Sequence, residues 1–232
     1  MKKLIILTGA GMSSESGIKT FRDSGGLWEE YDVTEVATPM AWRQNRELVL
    51  RFYNERRRQL ADCEPNDGHK GLATLEKYFN VQIITQNIDD LHERAGSSNI
   101  LYLHGELTKA RSTVDHNLVY DIGYKDINEG DTCEKGSQLR PHIVWFHEDV
   151  PMMDEAVSLT SEADIFVVVG SSLNVYPAAG IINFAPANAS LWLIDPKDVA
   201  VPVNRRVEVI KEKASTGIAI LTERVLKGNV SV

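Results

Sequence analysis

Short, continuous apolar runs recur along the chain, where a half-buried sheet would show alternation. Leu4-Ile5-Ile6-Leu7 is the first, residues 81–85 (Val-Gln-Ile-Ile-Thr) the second and residues 100–103 the third. Residues 165–169 (Ile-Phe-Val-Val-Val) are apolar throughout and end at Gly170, as expected of a central parallel strand buried on both faces. Residues 191–194 and 207–210 extend the series, and residues 142–146 are a further candidate. Helical periodicity falls between these runs. It is longest over residues 42–60, where Val49, Phe52, Arg56 and Leu60 share one spacing. Residues 71–79 form a second pattern. Residues 178–184 follow Pro177, which suits a first helical turn, and Thr216 can cap a last helix through residue 226. Strands alternating with helices predict an α/β fold, a Rossmann-like doubly wound parallel sheet.

Two segments break that rhythm. Residues 108–140 are polar, turn-rich and carry Gly123, Gly130 and Gly136; residues 22–41 lack a period and read as a long loop. Loops of that length in a compact domain are usually functional. The chain therefore reads as one domain, 1–232. Its core is expected at about 1–22, 78–107 and 141–232, with a smaller inserted lobe from about 23–77 and 108–140.

Composition changes this picture little. With 232 residues, 43% hydrophobic and 25% charged, the chain is ordinary globular protein. A net charge of -8 excludes a generally basic surface for nucleic acid and suits basic partners such as lysine-rich peptides. Cys63 and Cys133 form no CxxC motif, so a reducing compartment, the cytoplasm, is expected. The apolar run after Lys2-Lys3 is too short for a signal sequence, and no stretch approaches the ~18 residues of a membrane span.

Candidate chemistry gathers just after the strands. Gly9-Ala10-Gly11 follows the first, a glycine-paired turn able to bring backbone N–H groups close to a phosphate. Ser14 stands where the dinucleotide fingerprint has its third glycine, so a plain βα turn is an equal alternative. Gln86-Asn87-Ile88-Asp89 follows the second strand. Asn87 and Asp89 suit a ribose or an amide, or an Asx turn capping the next helix. His104 follows the third strand and is a candidate general base, although a lone histidine is more often structural. His69, His92, His116, His142 and His147 are set aside on that ground. Gly170-Ser171-Ser172 offers hydroxyls and amides to a phosphate, or forms another turn. In a parallel sheet all four positions face one crevice.

Taken together, Gly9-Ala10-Gly11-x-Ser13-x-x-Ser16-Gly17-Ile18-x-x-Phe21-Arg22, Gly26-Leu27-Trp28, Thr85-Gln86-Asn87-Ile88-Asp89-x-Leu91-His92, Leu103-His104-Gly105 and Val169-Gly170-Ser171-Ser172-Leu173 resemble the sirtuins, NAD-dependent protein lysine deacylases, in order over nearly the whole chain. The resemblance implies that Gly9, Ala10, Gly11 and Ser13 line the pyrophosphate, and that Phe21, Arg22 and Trp28 lie by a mobile cofactor loop. It places Gln86, Asn87, Ile88 and Asp89 at the nicotinamide ribose and pocket, with Asn87 and Asp89 joining His104 in catalysis. Gly170, Ser171, Ser172, Asp195, Pro196, Lys197 and Ala214 fall on the adenosine side, Asp195 replacing a usual Asn. The implied reaction consumes NAD. The acyl oxygen attacks C1′ of the nicotinamide ribose and nicotinamide leaves, His104 acts as general base, and the intermediate collapses to free lysine and 2′-O-acyl-ADP-ribose.

The sequence also departs from the family. Its zinc-binding CxxC pairs fall at Ser112, Asp115, Thr132 and Lys135, so no zinc is expected; packing by Leu118, Val119, Tyr120 and Ile122 is expected to replace it. Where the family has Phe-Gly-Glu, at the substrate groove near Val144, this chain has Phe146-His147-Glu148. Tyr53 and Arg56, three apart on one helical face, match the Tyr-x-x-Arg pair that binds the carboxylate of succinyl, malonyl or glutaryl lysine in the class III branch, and Ala37 matches its tunnel-widening residue. Arg57 and Arg58 read as a solvated face. The expected partners are acyl-lysine proteins or peptides, with no nucleic acid and no membrane. A plain deacetylase, a mono-ADP-ribosyltransferase, a non-catalytic NAD or acyl-ADP-ribose sensor and a hydride-transferring Rossmann enzyme are the alternatives.

Overall fold

The computed structural model describes residues 1–19, 31–201 and 203–229. In chain order its strands are β1 (Lys3–Thr8), β2 (Asn80–Thr85), β3 (Ile100–Tyr102), β4 (Gly105–Ser112), β5 (Val119–Asp121), β6 (Leu139–Ile143), β7 (Ile165–Val169), β8 (Ser190–Ile194) and β9 (Glu208–Ile210). The helices are α1 (Val33–Val36), α2 (Pro39–Gln44), α3 (Arg46–Ala61), α4 (Asp67–Leu75), α5 (Leu91–Arg94), α6 (Met153–Thr160) and α7 (Ala214–Asn229), with 3₁₀ turns at Ala10–Met12, Ser14–Ser16 and Ala178–Phe184. Six strands form one sheet in the order β3-β2-β1-β7-β8-β9, every pair parallel. This is the doubly wound arrangement, with its reversal of strand order between β1 and β7.

The apolar runs divide by alternate residues, because successive side chains of a strand point to opposite faces. Ile5, Leu7, Phe166, Val168, Leu191 and Leu193 pack on one face, against Ala156 of α6 and Ile181 and Ile182. Leu4, Ile6, Ile83, Val167, Val169 and Ile194 pack on the other, against Leu72 and Leu75 of α4 and Ile218 and Leu221 of α7. Each such side chain, taken wholly from water, contributes about 1.5–3 kcal/mol. Both faces are buried, so the strands read as continuous runs.

The smaller lobe is where the structure corrects the sequence. Within residues 105–143 lie three antiparallel strands, ordered β5-β4-β6, with residues 122–138 between β5 and β6 turn-rich as their polar pattern indicates. The strand expected over 142–146 overlaps β6 only at residues 142–143, and β6 belongs to this second sheet. The helix over 42–60 is two helices, because Asn45 leaves the helical region and its side chain accepts from the amide of Leu48 (3.1 Å), capping α3. Asn66 likewise caps α4 through Gly68 and His69, so that helix begins before residue 71. Thr216 lies inside α7, and residues 178–184 are 3₁₀. Helices α1 and α2 occupy the described end of the segment read as loop. Helix α3 and its neighbours build a third apolar cluster with Leu107, Ala110 and Trp145. Among the described residues no helix is long and apolar enough to cross a membrane.

Candidate active site

The strands of the large sheet are parallel, so the loops leaving β1, β2, β3, β7 and β8 all emerge at one edge. Gly9, Gln86, His104, Gly170 and Asp195 line a single cavity of about 630 Å³. Its floor is a contact between two backbones. Gly9 N–H donates to Val169 O (3.0 Å) and Gly11 N–H to Gly170 O (2.8 Å). A Cβ at Gly170 would lie 2.3 Å from Met12 N, and its φ of +60° is left-handed, so that position needs glycine. Two 3₁₀ turns follow Gly9. Together the turns form a glycine-lined cradle, with no side chain at Gly9, Gly11 or Gly170 to keep the phosphates of a dinucleotide from the backbone.

The loop after β2 is tied to this cradle. Asn87 donates through Nδ2 to Gly9 O (3.0 Å) and Ser13 Oγ (3.1 Å), leaving its carboxamide oxygen as the group to present. Gln86 Nε2 donates to Ser171 Oγ (2.9 Å), joining the β2 and β7 loops. Asp89 makes the Asx turn and also faces the cavity. It accepts from Leu91 N (3.2 Å) as an Asx turn, and from Ser13 Oγ (2.9 Å) inside the cavity wall. Burial raises its pKa to about 6, against the lowering effect of Ser13, Leu91 and the Arg56 charge.

His104 Nδ1 lies 2.9 Å from Gln86 O. A carbonyl only accepts, so Nδ1 carries the proton and Nε2 of the neutral ring is the basic nitrogen. Burial lowers the His104 pKa below 6.5, which keeps that base free at neutral pH. Gly105 follows at φ +83°, and a Cβ there would strike His142 O at 2.0 Å; the turn fixes the ring between the two sheets.

Ala37, Tyr53 and Arg56, all buried, also line the cavity. Tyr53 Oη accepts from Trp145 Nε1 (3.1 Å), so its own proton remains to donate. Burial pushes its pKa up to about 12, keeping it a neutral phenol. The chain after β6 lines the cavity with Val144 and Phe146; Val144 N donates to His104 O (2.9 Å) and Phe146 N to Ala37 O (3.0 Å). His147 has φ +70°, the left-handed region glycine favours, at the position where the sequence departs from glycine. Glu148 closes this turn, paired with both Arg140 (2.7 and 3.1 Å) and Arg111 (3.4 Å).

Pro196, Lys197, Ala10 and Ser172 also line the cavity. Ala214 does not; its neighbour Lys213 does. Phe21, Arg22 and Trp28 lie outside the described residues. Sequence reasoning missed Trp145 and Leu107, both at the wall, and the only signal for Trp145 was its place in an apolar run. It also misplaced Arg57. That side chain is completely buried, not solvated; Arg58 is exposed and pairs with Asp126.

Residues 112, 115, 132 and 135 do not fit zinc. Lys135 donates to Asp115 Oδ2 (2.7 Å), while Ser112 Oγ lies 3.0 Å from Ser137 Oγ and 3.3 Å from Cys133 Sγ. One carboxylate and an ammonium are not a tetrahedral donor set. Among the described residues no group of three or more His, Cys, Asp or Glu could hold a metal. Packing is not what joins these strands: Val119 is exposed, and of the four apolar residues expected to pack only Ile122 meets the third cluster.

Comparison with known proteins agrees with this geometry. A protein named NAD-dependent protein deacylase from Bacteroides thetaiotaomicron is 53% identical over 228 residues, covering 96% of this chain and 97% of its own. One of that name from Helicobacter pylori is 55% identical over 214 residues, covering 92% and 91%. A crystal structure of a Sir2 homolog–NAD complex superimposes with a TM-score of 0.88 at 36% identity, over 98% of this chain and 90% of that one. Residues 9–177 match the Sir2 family, and the chain belongs to it.

Proposed function

We propose that this chain is an NAD-dependent protein deacylase that prefers lysine acyl groups ending in a carboxylate, such as succinyl, malonyl or glutaryl. The observation that carries the reading is one cavity shared by two sets of groups. Asn87, Asp89 and His104 line it, and so do Tyr53, Arg56 and Ala37. NAD fits the cradle, and when bound it supplies an activated bond to nicotinamide and a ribose that receives the acyl group. Gly9, Ala10, Gly11 and Ser13 would hold its pyrophosphate, Gly170, Ser171, Ser172, Asp195, Pro196 and Lys197 its adenosine side, and Gln86, Asn87, Ile88 and Asp89 its nicotinamide end. His104, neutral with Nε2 unprotonated, would accept a proton from a ribose hydroxyl of bound NAD. Val144 and Phe146 flank the acyl-lysine.

Specificity for an acidic acyl group rests on the buried Arg56 guanidinium and the Tyr53 phenol. A charge-assisted bond between guanidinium and carboxylate contributes roughly 1.5–3 kcal/mol, about ten- to a hundredfold in preference. The small lobe is inferred to work without zinc, the loops after β4 and before β6 joined by the Ser112–Cys133–Ser137 contacts and the Asp115–Lys135 pair.

The test is a panel of acyl-lysine peptides of one sequence with NAD, read by mass spectrometry. Free lysine, nicotinamide and acyl-ADP-ribose are expected, with succinyl ahead of acetyl. Arg56→Met should reduce desuccinylation at least tenfold more than deacetylation; equal loss on both would refute the pocket assignment.

A further inference from the structure

The geometry points to Arg57 as a positioning residue that locks the acyl end of the cavity to its nicotinamide end. This rests on the proposed deacylase reading. Arg57 follows Arg56 on α3 but turns inward and is 0% exposed. Its Nε donates to Leu107 O on β4 (2.7 Å), and its Nη1 to Asn54 Oδ1 (2.7 Å) and Lys125 O (3.2 Å). Burial lowers its pKa to about 10, so it stays charged at neutral pH.

Those contacts lead to both neighbours of Asp89. Leu107, whose carbonyl Arg57 holds, donates its own N–H to Ile88 O (2.8 Å). Lys125 belongs to a strap in which four consecutive residues are each anchored. Tyr124 donates its hydroxyl to Asp90 Oδ2, Lys125 O accepts from Arg57, and Asp126 pairs with Arg58. Ile127 exchanges two hydrogen bonds with the side chain of Asn54 (2.9 and 3.0 Å). Ile88 and Asp90 are thus held from the small lobe, and the helix carrying Tyr53 and Arg56 gathers both holds through one guanidinium. Asp89 sits between them, its carboxylate fixed by Ser13 on the far side. A charged fork binding several acceptors is stiffer than separate neutral bonds, and a shift of α3 must carry the Ile88–Asp90 segment with it.

Two variants test this, because Arg57→Lys alters a buried site and Tyr124→Phe removes one hydroxyl at the surface. Each is compared with wild type for melting temperature, NAD affinity by calorimetry, nicotinamide inhibition with succinyl and acetyl peptides, and hydrogen exchange at residues 88–91. In Tyr124→Phe the expected result is an unchanged melting temperature, faster exchange at 88–91, and nicotinamide inhibition weakened roughly two- to tenfold, the worth of one hydrogen bond, with kcat within about twofold. Arg57→Lys should add a loss of succinyl over acetyl preference. Unaltered exchange and unaltered nicotinamide inhibition in folded Tyr124→Phe would overturn the assignment. A wild type that binds no NAD would instead overturn the functional reading, and the exchange measurement would still decide whether the strap holds the Ile88–Asp90 segment.

Discussion

Replacing Asp89 by Asn should stabilise the protein at neutral pH while abolishing its activity. Asp89 is 5% exposed, and burial raises its carboxyl from 3.8 to about 6 despite Ser13, the Leu91 amide and Arg56. The folded pKa lies above the unfolded one, so the contribution to stability is fully present below pH 3.8 and is lost as pH rises through 6. At pH 7 that loss amounts to about 3 kcal/mol. Asn has nearly the same shape, can accept one of the two hydrogen bonds, and does not ionise. The variant should therefore melt several degrees higher at pH 7–8, at about 2–4 °C per kcal/mol for a chain of this size, and the gap should close below about pH 4. Thermal melts recorded by circular dichroism across pH 4–8, without NAD, measure it. A variant that melts at or below wild type at pH 8, or a gap that does not change with pH, would refute the reasoning.

Particular contacts lead to three further outcomes. His69 and His92 are fully buried with rings 4.8 Å apart, and burial depresses their pKa values to about 4 and about 3. Their stabilising effect is present above pH 6.5 and is lost as pH falls toward those values, so His69→Leu should flatten the decline of stability between pH 6.5 and 4; identical urea midpoints against pH would count against it. Gly170→Ala puts a Cβ 2.3 Å from Met12 N in a left-handed residue, and should lower NAD affinity and melting temperature together; wild-type calorimetry would contradict the cradle. Treatment with a strong chelator should leave activity and melting temperature unchanged, and a drop in either would restore a structural metal.

The large sheet was legible because its strands are buried on both faces. Runs such as residues 165–169 have no polar side to obscure them, and their ends mark the site directly. The small sheet was illegible for the opposite reason. In β4, Glu106, Thr108 and Lys109 alternate with Leu107 and Ala110, and the glycines around β5 read as turns. Helix boundaries were lost wherever a side-chain cap overrode periodicity, as at Asn45 and Asn66. At the site, motif residues emerged because they come directly after strands. Arg57 did not, since a charged residue beside Arg56 and Arg58 looks solvated until the carbonyls it binds are in view. No local pattern records a partner 50 or 68 residues away.

The contact between Gly9 and the β7 turn also sets an order of events in synthesis. β1 leaves the ribosome before β7, yet Leu4 pairs with Ile165, and Gly11 reaches Gly170, only after the small-lobe strands have been made. Until then one edge of the most apolar strand in the N-terminal half has no partner, a hazard for aggregation. The phosphate cradle therefore cannot exist in any truncated product ending before residue 170. Binding of NAD should report that synthesis has passed residue 170, and fragments that stop in the small lobe should be recognised by chaperones as unfinished.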